Sequence, residues 1–321
     1  MSYPSVDEIQ KALAERLFNG RQDTKKAAGR ALGTIVELIT FYLLREWGFS
    51  RNLTIELSLP EFGNPEISHN VEFGLHPVNR ESKVKLSITK SSITALKLLK
   101  AENLPTEARK NNNLLSADRL LRNACVLRDS NEGILVANVT SETADDLHVS
   151  VALLRREPFA MLECKRVGVE EGTKKGPTTI EKAKQGAYVA KHVSALQKIR
   201  STDGRVYAAM ALPSGEIEVL PWEEELRRLV YDAPPEDLEG FVMTIGVVSN
   251  HGNWFTSDVP NKELKVLKQS YDWLLFLNDR GIASFVGDTI SSDKEEMKPI
   301  KDAFNASYAS GKSGTNRFTK V

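Results

Sequence analysis

Cysteine is scarce in this chain, with only Cys125 and Cys164 among 321 residues. Two cysteines supply neither a disulfide framework nor a structural zinc set, so a reducing cytoplasm is the expected setting. The five histidines are scattered, and His251-Gly252-Asn253 reads as a turn rather than a metal site. Long apolar runs are also missing. The most apolar stretch, Ala31 to Leu44, is expected to be too short and too interrupted to cross a bilayer, and no signal-peptide pattern precedes it. No membrane partner is expected, and the sequons at Asn52, Asn138 and Asn305 then carry no weight. There is no internal repeat. Gly29-Arg30-Ala31-Leu32-Gly33 lies inside a helical pattern and cannot cradle phosphates, so no nucleotide cofactor is expected. Net charge is absent too, with 43 Lys+Arg against 43 Asp+Glu. That balance gives no overall attraction to nucleic acid, but its distribution is uneven. From Lys165 to Arg200 nine basic residues face three acids, while from Glu216 to Glu239 nine acids face two arginines. A neutral total of this kind can hide a basic cleft and an acidic back.

The length suits one large α/β unit or two smaller ones. Helical spacing marks residues 1–19 and a long helix over Asp23 to Phe49, capped by Asp23 or Thr24 and closed by Gly48. Strands are expected at 53–59, 71–75 and 83–88, with helices at 93–102 and 116–125 around the polar loop Asn111-Asn112-Asn113. Further strands are expected at 206–212, 216–220 and 241–248, then a helix over Lys262 to Asn278. The Ser/Gly/Asn-rich tail from Asn305 is expected to be mobile. The core is expected over residues 23–60 and 141–250. Residues 61–140 are too long for a plain connection and read as an inserted subdomain, a DNA reader or else a lid or dimer surface.

One stretch carries chemistry. Asp145-Asp146 leads into a strand through Leu154, and a short turn precedes a second strand, Phe159 to Arg166, that ends in Glu163-Cys164-Lys165. Side chains alternate along a strand, so Glu163 and Lys165 share one face and Cys164 points the other way, into the core. A hairpin between the two strands would bring Asp146 beside Glu163. Two carboxylates and an ammonium would then converge, a set suited to Mg2+ held against phosphate oxygens. Asp/Glu-x-Lys also occurs at Asp23, Glu81, Glu263 and Glu296, but only Glu163 closes an apolar run of strand length. The bland reading of Asp146, Glu163 and Lys165 is a charged strand end with a surface salt bridge.

Two other features bear on the choice. Glu37 is the only charge between Arg30 and Arg45; an acid amid apolar surface either meets a cation or lies on a narrow polar stripe beside Thr34. The basic segment Lys174 to His192 begins as a Gly/Pro loop and becomes a helix carrying Lys182 and Gln185. Its free amides and lysines could face a phosphate backbone, or it could be an ordinary amphipathic helix with a solvated basic face.

A helix acid, an aspartate at a strand start, Glu-x-Lys at the next strand's end and a Gln-bearing basic helix together resemble the PD-(D/E)xK nuclease superfamily. Within it, the chain looks like a type II restriction endonuclease. The resemblance spans Asp23 to Phe49 and Asp145 to Lys198. It implies a restriction-endonuclease-like mixed central β-sheet flanked by helices, with Asp146, Glu163 and the Cys164 carbonyl as Mg2+ ligands. Lys165 would be the motif lysine, Glu37 the first-helix acid, and Lys174, Lys175, Lys182 and Gln185 the DNA-facing groups. The implied activity is Mg2+-dependent cleavage of double-stranded DNA to 5′-phosphate and 3′-hydroxyl ends, by a homodimer. Two departures stand out. No proline precedes Asp145-Asp146, which leaves the choice of ligand between them open. The Gln185-x-x-Tyr188 spacing is one residue shorter than in the recombination-nuclease branch. The same residues would also serve a structure-selective repair or junction nuclease, or an inactive DNA-binding protein on the same fold.

Overall fold

The computed structural model describes residues 6–16, 18, 24–87, 95–103, 124–166, 177–212, 214–232, 240–249 and 262–307. In chain order its elements are α1 (Val6–Arg16), α2 (Thr24–Glu46), β1 (Leu53–Glu61), β2 (Asn64–Leu75), β3 (Val78–Ser87) and α3 (Ala95–Ala101). There follow β4 (Cys125–Ser130), β5 (Gly133–Glu142), β6 (Asp146–Leu154), β7 (Ala160–Arg166), α4 (Pro177–His192), β8 (Leu196–Arg200) and β9 (Val206–Ala211). The chain continues with β10 (Ile217–Pro221), α5 (Trp222–Tyr231), β11 (Met243–Ser249), α6 (Lys262–Ser270), β12 (Trp273–Leu277), α7 (Asp279–Asp288) and α8 (Lys298–Ser307).

The central sheet is mixed, in the order β1-β2-β7-β11-β12, antiparallel from β1 to β7 and parallel from β7 to β12. Alternation along β7 and β11 sends Leu162, Cys164 and Val247 to one face and Met161 and Val248 to the other. The first face packs on α1, α2, α7 and α8 through Ile35, Val36, Ile282 and Phe304. The second packs on α4 and α6 through Ala190, Val193 and Leu267. The result is a mixed α/β structure with helices on both faces of the sheet.

The α2 residues Ala27, Ala28 and Ala31 are fully buried in the core on the first of these faces. The Cys164 thiol donates to Thr40 Oγ1 at 3.3 Å, fixing α2 across β7. The helix ends as its sequence dictates. Gly48 takes φ +86°, and the amides of Gly48 and Phe49 bond back to Arg45 and Leu44. That closure satisfies carbonyls the helix leaves open. The stretch Ala27–Glu46 is longer than the apolar core expected from sequence. With a mean hydropathy of 1.4 it has the length and composition of a spanning helix, yet half of it is buried inside the protein.

Residues between β2 and β7 build a second, four-stranded sheet, β3-β6-β5-β4. One of its faces is covered by Leu98 and Leu99 of α3, and the other seats Leu57 of β1. The inserted unit therefore runs from β3 through β6. It does not occupy residues 61–140, because β2 belongs to the central sheet and β6 to the insert. A third sheet, β10-β9-β8, packs against α5 through Met210 and Leu229.

Two expected elements change. The helix over Lys262 to Asn278 stops at Ser270, and Trp273–Leu277 forms β12, parallel to β11. A short apolar run at a sheet edge looks the same as a buried helical turn in sequence. Cys125 opens β4 rather than closing a helix. The rest of that expected helix, the His251 turn, Lys174, Lys175 and the tail beyond Ser307 lie outside the described residues.

Candidate active site

Glu163 and Lys165 project from one face of β7, as their spacing requires, and pair at 2.6 Å between Lys165 Nζ and Glu163 Oε1. The hairpin expected to bring Asp146 to them does not form. β6 is an interior strand paired on both sides, by β3 and β5, so it has no free edge for β7. Over residues 155–159 the chain leaves one sheet and enters the other. Asp146 lies opposite Ser87 and forms a partly exposed ion pair with Lys85 at 2.8 Å. Among the described residues neither Asp145 nor Asp146 makes a hydrogen bond or ion pair with Glu163, and the structure places Asp146 with Lys85 instead.

The acid beside Glu163 is Glu72, on β2. Its main-chain amide donates to Glu163 Oε2 at 3.3 Å, and its own carboxylate accepts from the amide of Cys164. The backbone explains how it gets there. Regular alternation would keep Ile55 and Leu57 on one face, but Ile55 packs with α2 while Leu57 meets the second sheet. Between them Glu56 takes φ +48°, and the register passes from Ile55↔Phe73 to Leu57↔Val71 without a 56/72 pair. A left-handed residue other than glycine costs about 1 kcal/mol. Here it turns β1 over and leaves Glu72 opposite the Glu-x-Lys segment, on strained backbone of the kind that gathers at functional sites.

Glu37 reaches the same group from α2. Burial, then repulsion from Glu56 and Glu163, pushes its carboxyl up to about 7 despite Lys165. Glu72 is raised well above the usual carboxylate range by burial, then by Glu163 and Glu37, with Lys165 and the Cys164 amide opposing. Burial alone would lower Lys165, but Glu163 and Glu72 outweigh it and hold the ammonium above its ordinary value. Glu37 and Glu72 thus lie within electrostatic range of Glu163 and Lys165, and among the described residues Glu37 Oε2 is buried with no hydrogen-bond partner. Sequence reasoning missed Glu72, although it is the only charge between Glu66 and Arg80 and is flanked by apolar Val71 and Phe73. The same argument had singled out Glu37.

Comparison with protein-family models, curated proteins and solved structures finds no match.

An open cleft of about 710 Å3 adjoins the pair, lined by Glu163 and Lys165, by Ser68, His69 and Asn70 of β2, and by Gln185, Gly186, Tyr188 and Val189 of α4. Gln185 and Lys165 therefore line the same cleft. The α4 backbone also carries Lys182. His69 Nε2 meets Glu61 Oε1 at 2.7 Å, and the Tyr188 ring stands between His69 and His192, at 5.5 and 4.2 Å. Hydrogen bonds from His69 and Tyr188 hold the Glu61 carboxyl below its ordinary value against the opposing effect of its burial. Sequence gave no sign of this rim, since its members come from three separate elements.

Among the described residues, no three histidine, cysteine or acidic side chains stand as a preformed metal centre. The donor chemistry nevertheless fits a hard divalent cation. Mg2+ is commonly held by one or two carboxylates, with phosphate oxygens and water completing the set. The orphaned Glu37 oxygen and the mutual repulsion of Glu37, Glu72 and Glu163 are what an added cation would relieve.

Proposed function

We propose that this chain is a Mg2+-dependent nuclease built on the PD-(D/E)xK plan, with Glu72 in the place expected for Asp146. The observation that carries the reading is the meeting of Glu37, Glu72 and Glu163-x-Lys165 beside a cleft whose far wall presents Gln185. Helix acid, strand acid, Glu-x-Lys strand and Gln-bearing helix occur in that order along the chain. They gather on a mixed sheet with helices on both faces. Order and placement together support the finer, restriction-endonuclease-like description of the fold.

In this reading Glu72 and Glu163 would hold the cation, and Glu37 would position it from α2. Bound Mg2+ would offset charge developing on phosphorus and acidify water. Lys165 orients the attacking water, and its ammonium offsets negative charge in the transition state. The Cys164 carbonyl lies between the two motif side chains and completes the ligand set. Gln185 faces the DNA backbone from the cleft, and Lys174, Lys175 and Lys182 would supply further positive charge to it. The substrate is double-stranded DNA, cut at specific sequences to 5′-phosphate and 3′-hydroxyl ends. A two-fold dimer matches a palindromic site, because one cleft addresses one strand.

The test is digestion of a long, unmethylated, sequenced DNA with purified protein in Mg2+, beside EDTA and Lys165→Ala controls. Discrete fragments absent from both controls are expected. Cleavage by Lys165→Ala at the wild-type rate would remove the assignment.

A further inference from the structure

Tyr271 follows α6 and lies under the cleft. Its side chain is 1% exposed, and among the described residues its buried Oη has no hydrogen-bond partner. A tyrosine hydroxyl in the interior ordinarily finds a partner, and leaving it unpaired costs stability. The ring is seated between two glycines. A β-carbon on Gly246 of β11 would stand 3.1 Å from Tyr271 Cδ2, and one on Gly186 of α4 would stand 2.8 Å from Tyr271 Oη. That same point above Gly186 is 3.0 Å from Lys165 Cε and 3.7 Å from Lys165 Nζ. The unpaired hydroxyl and the tip of the motif lysine therefore border one small space, kept open because residue 186 has no side chain. Burial, then Glu163 and Glu72, holds the phenol well above the usual tyrosine range, so it remains a neutral hydroxyl at physiological pH.

Lys165 and Glu163 are engaged with each other, and that contact conflicts with Glu163 serving a cation. If Glu163 turns to a divalent ion, the partly buried ammonium loses its acceptor on the protein side, which is costly unless another is at hand. We propose that Tyr271 is a positioning residue whose hydroxyl is the second acceptor for Lys165, taking the ammonium when Glu163 engages a divalent cation. The inference rests on the nuclease reading and adds to it a two-position lysine. In the first position Lys165 neutralises Glu163 and the acids tolerate one another. In the second, Tyr271 accepts from one of the three ammonium donors, and the other two remain for water and phosphate.

Tyr271→Phe separates this role from packing, because it keeps the ring and removes only the unpaired hydroxyl. In EDTA the variant is expected to melt above wild type, since a buried group without a partner has been removed. Thermal unfolding titrated with Mn2+, without DNA, is expected to show half-saturation at about tenfold higher Mn2+ than wild type, the worth of a hydrogen bond to a charged group. Cleavage at limiting Mg2+ should fall by the same factor and recover at high Mg2+. Gly186→Ala, which puts a methyl group in the shared space and keeps the hydroxyl, should raise the Mn2+ requirement in the same direction. If wild type responds to Mn2+ and cuts DNA while Tyr271→Phe matches it in both, Tyr271 is packing alone and the inference falls while the nuclease reading stands. If wild type neither gains stability from Mn2+ nor cuts, the nuclease reading fails and the inference with it.

Discussion

Glu37 makes the metal-free protein sensitive to alkali. Its carboxyl moves from 4.5 to about 7 on folding, chiefly through burial and then through Glu56 and Glu163. The folded state prefers the protonated form, so the stability Glu37 contributes is complete below pH 4.5 and is lost as pH rises through 7. A displacement of that size corresponds to about 3 kcal/mol between the two protonation states. That is a large share of the roughly 5–15 kcal/mol by which proteins are stable. Urea unfolding in EDTA from pH 4 to pH 9, for wild type and Glu37→Gln, isolates the effect. Glutamine cannot ionise, so any loss of packing shifts its curve equally at every pH, and only the difference in slope counts. Wild type should lose about 3 kcal/mol more than the variant over that span. Mg2+ should restore most of the loss at pH 9, because a cation relieves the repulsion that ionisation creates. Parallel stability curves for the two proteins would refute the placement of Glu37 among the other acids.

Glu72→Gln is expected to reduce cleavage by at least about a hundredfold, the scale of losing one preorganised charged group at a reacting centre. Asp146→Asn should stay within about twofold of wild type, since it breaks only a partly exposed ion pair with Lys85. Single-turnover rates at saturating Mg2+ decide between them, and the reverse ranking would return the ligand role to Asp146. On the acid side, burial depresses His76 from 6.5 to about 4, with its ring held between Thr54 and the Arg155 carbonyl. Its contribution is therefore present above pH 6.5 and lost as pH falls through 4, about 3 kcal/mol in all. His76→Gln should flatten the urea stability curve across that window, and an unchanged curve would contradict the burial of a neutral imidazole.

The parts of this molecule that were legible in sequence are the local ones. Periodicity, a Ser/Thr/Asp-type start and Gly48 place α2, and Glu37 stands out because nothing else on that apolar stretch is charged. Alternation alone puts Glu163 and Lys165 together and turns Cys164 to the α2 side, where it is buried against Thr40. What failed was the assumption that strands adjacent in sequence pair. β6 and β7 follow each other closely, but β7 takes β2 as its antiparallel neighbour, from which the whole second sheet separates it. Hydrophobic alternation says which face of a strand is buried and is silent on which strand lies beside it. Asp146 was therefore paired with Glu163 on proximity along the chain, and Glu72 was passed over. Nor does any local pattern announce a left-handed glutamate in mid-strand, although that residue is what turns β1 over opposite Glu72.

Leu75 and Ala160 are direct partners across the β2–β7 pair, and the amide of Phe159 bonds back to the carbonyl of Leu75. The chain thus leaves the central sheet after Leu75 and re-enters it at Ala160, through one covalent seam beside the packing of Leu57 on the second sheet. Parts of the graft away from the seam and from Leu57 can lengthen or shrink without altering the pairing that sets Glu72 opposite Glu163. The chemistry and whatever the second sheet contributes are consequently free to diverge at different rates, with the seam as the boundary between what must be inherited together and what need not be.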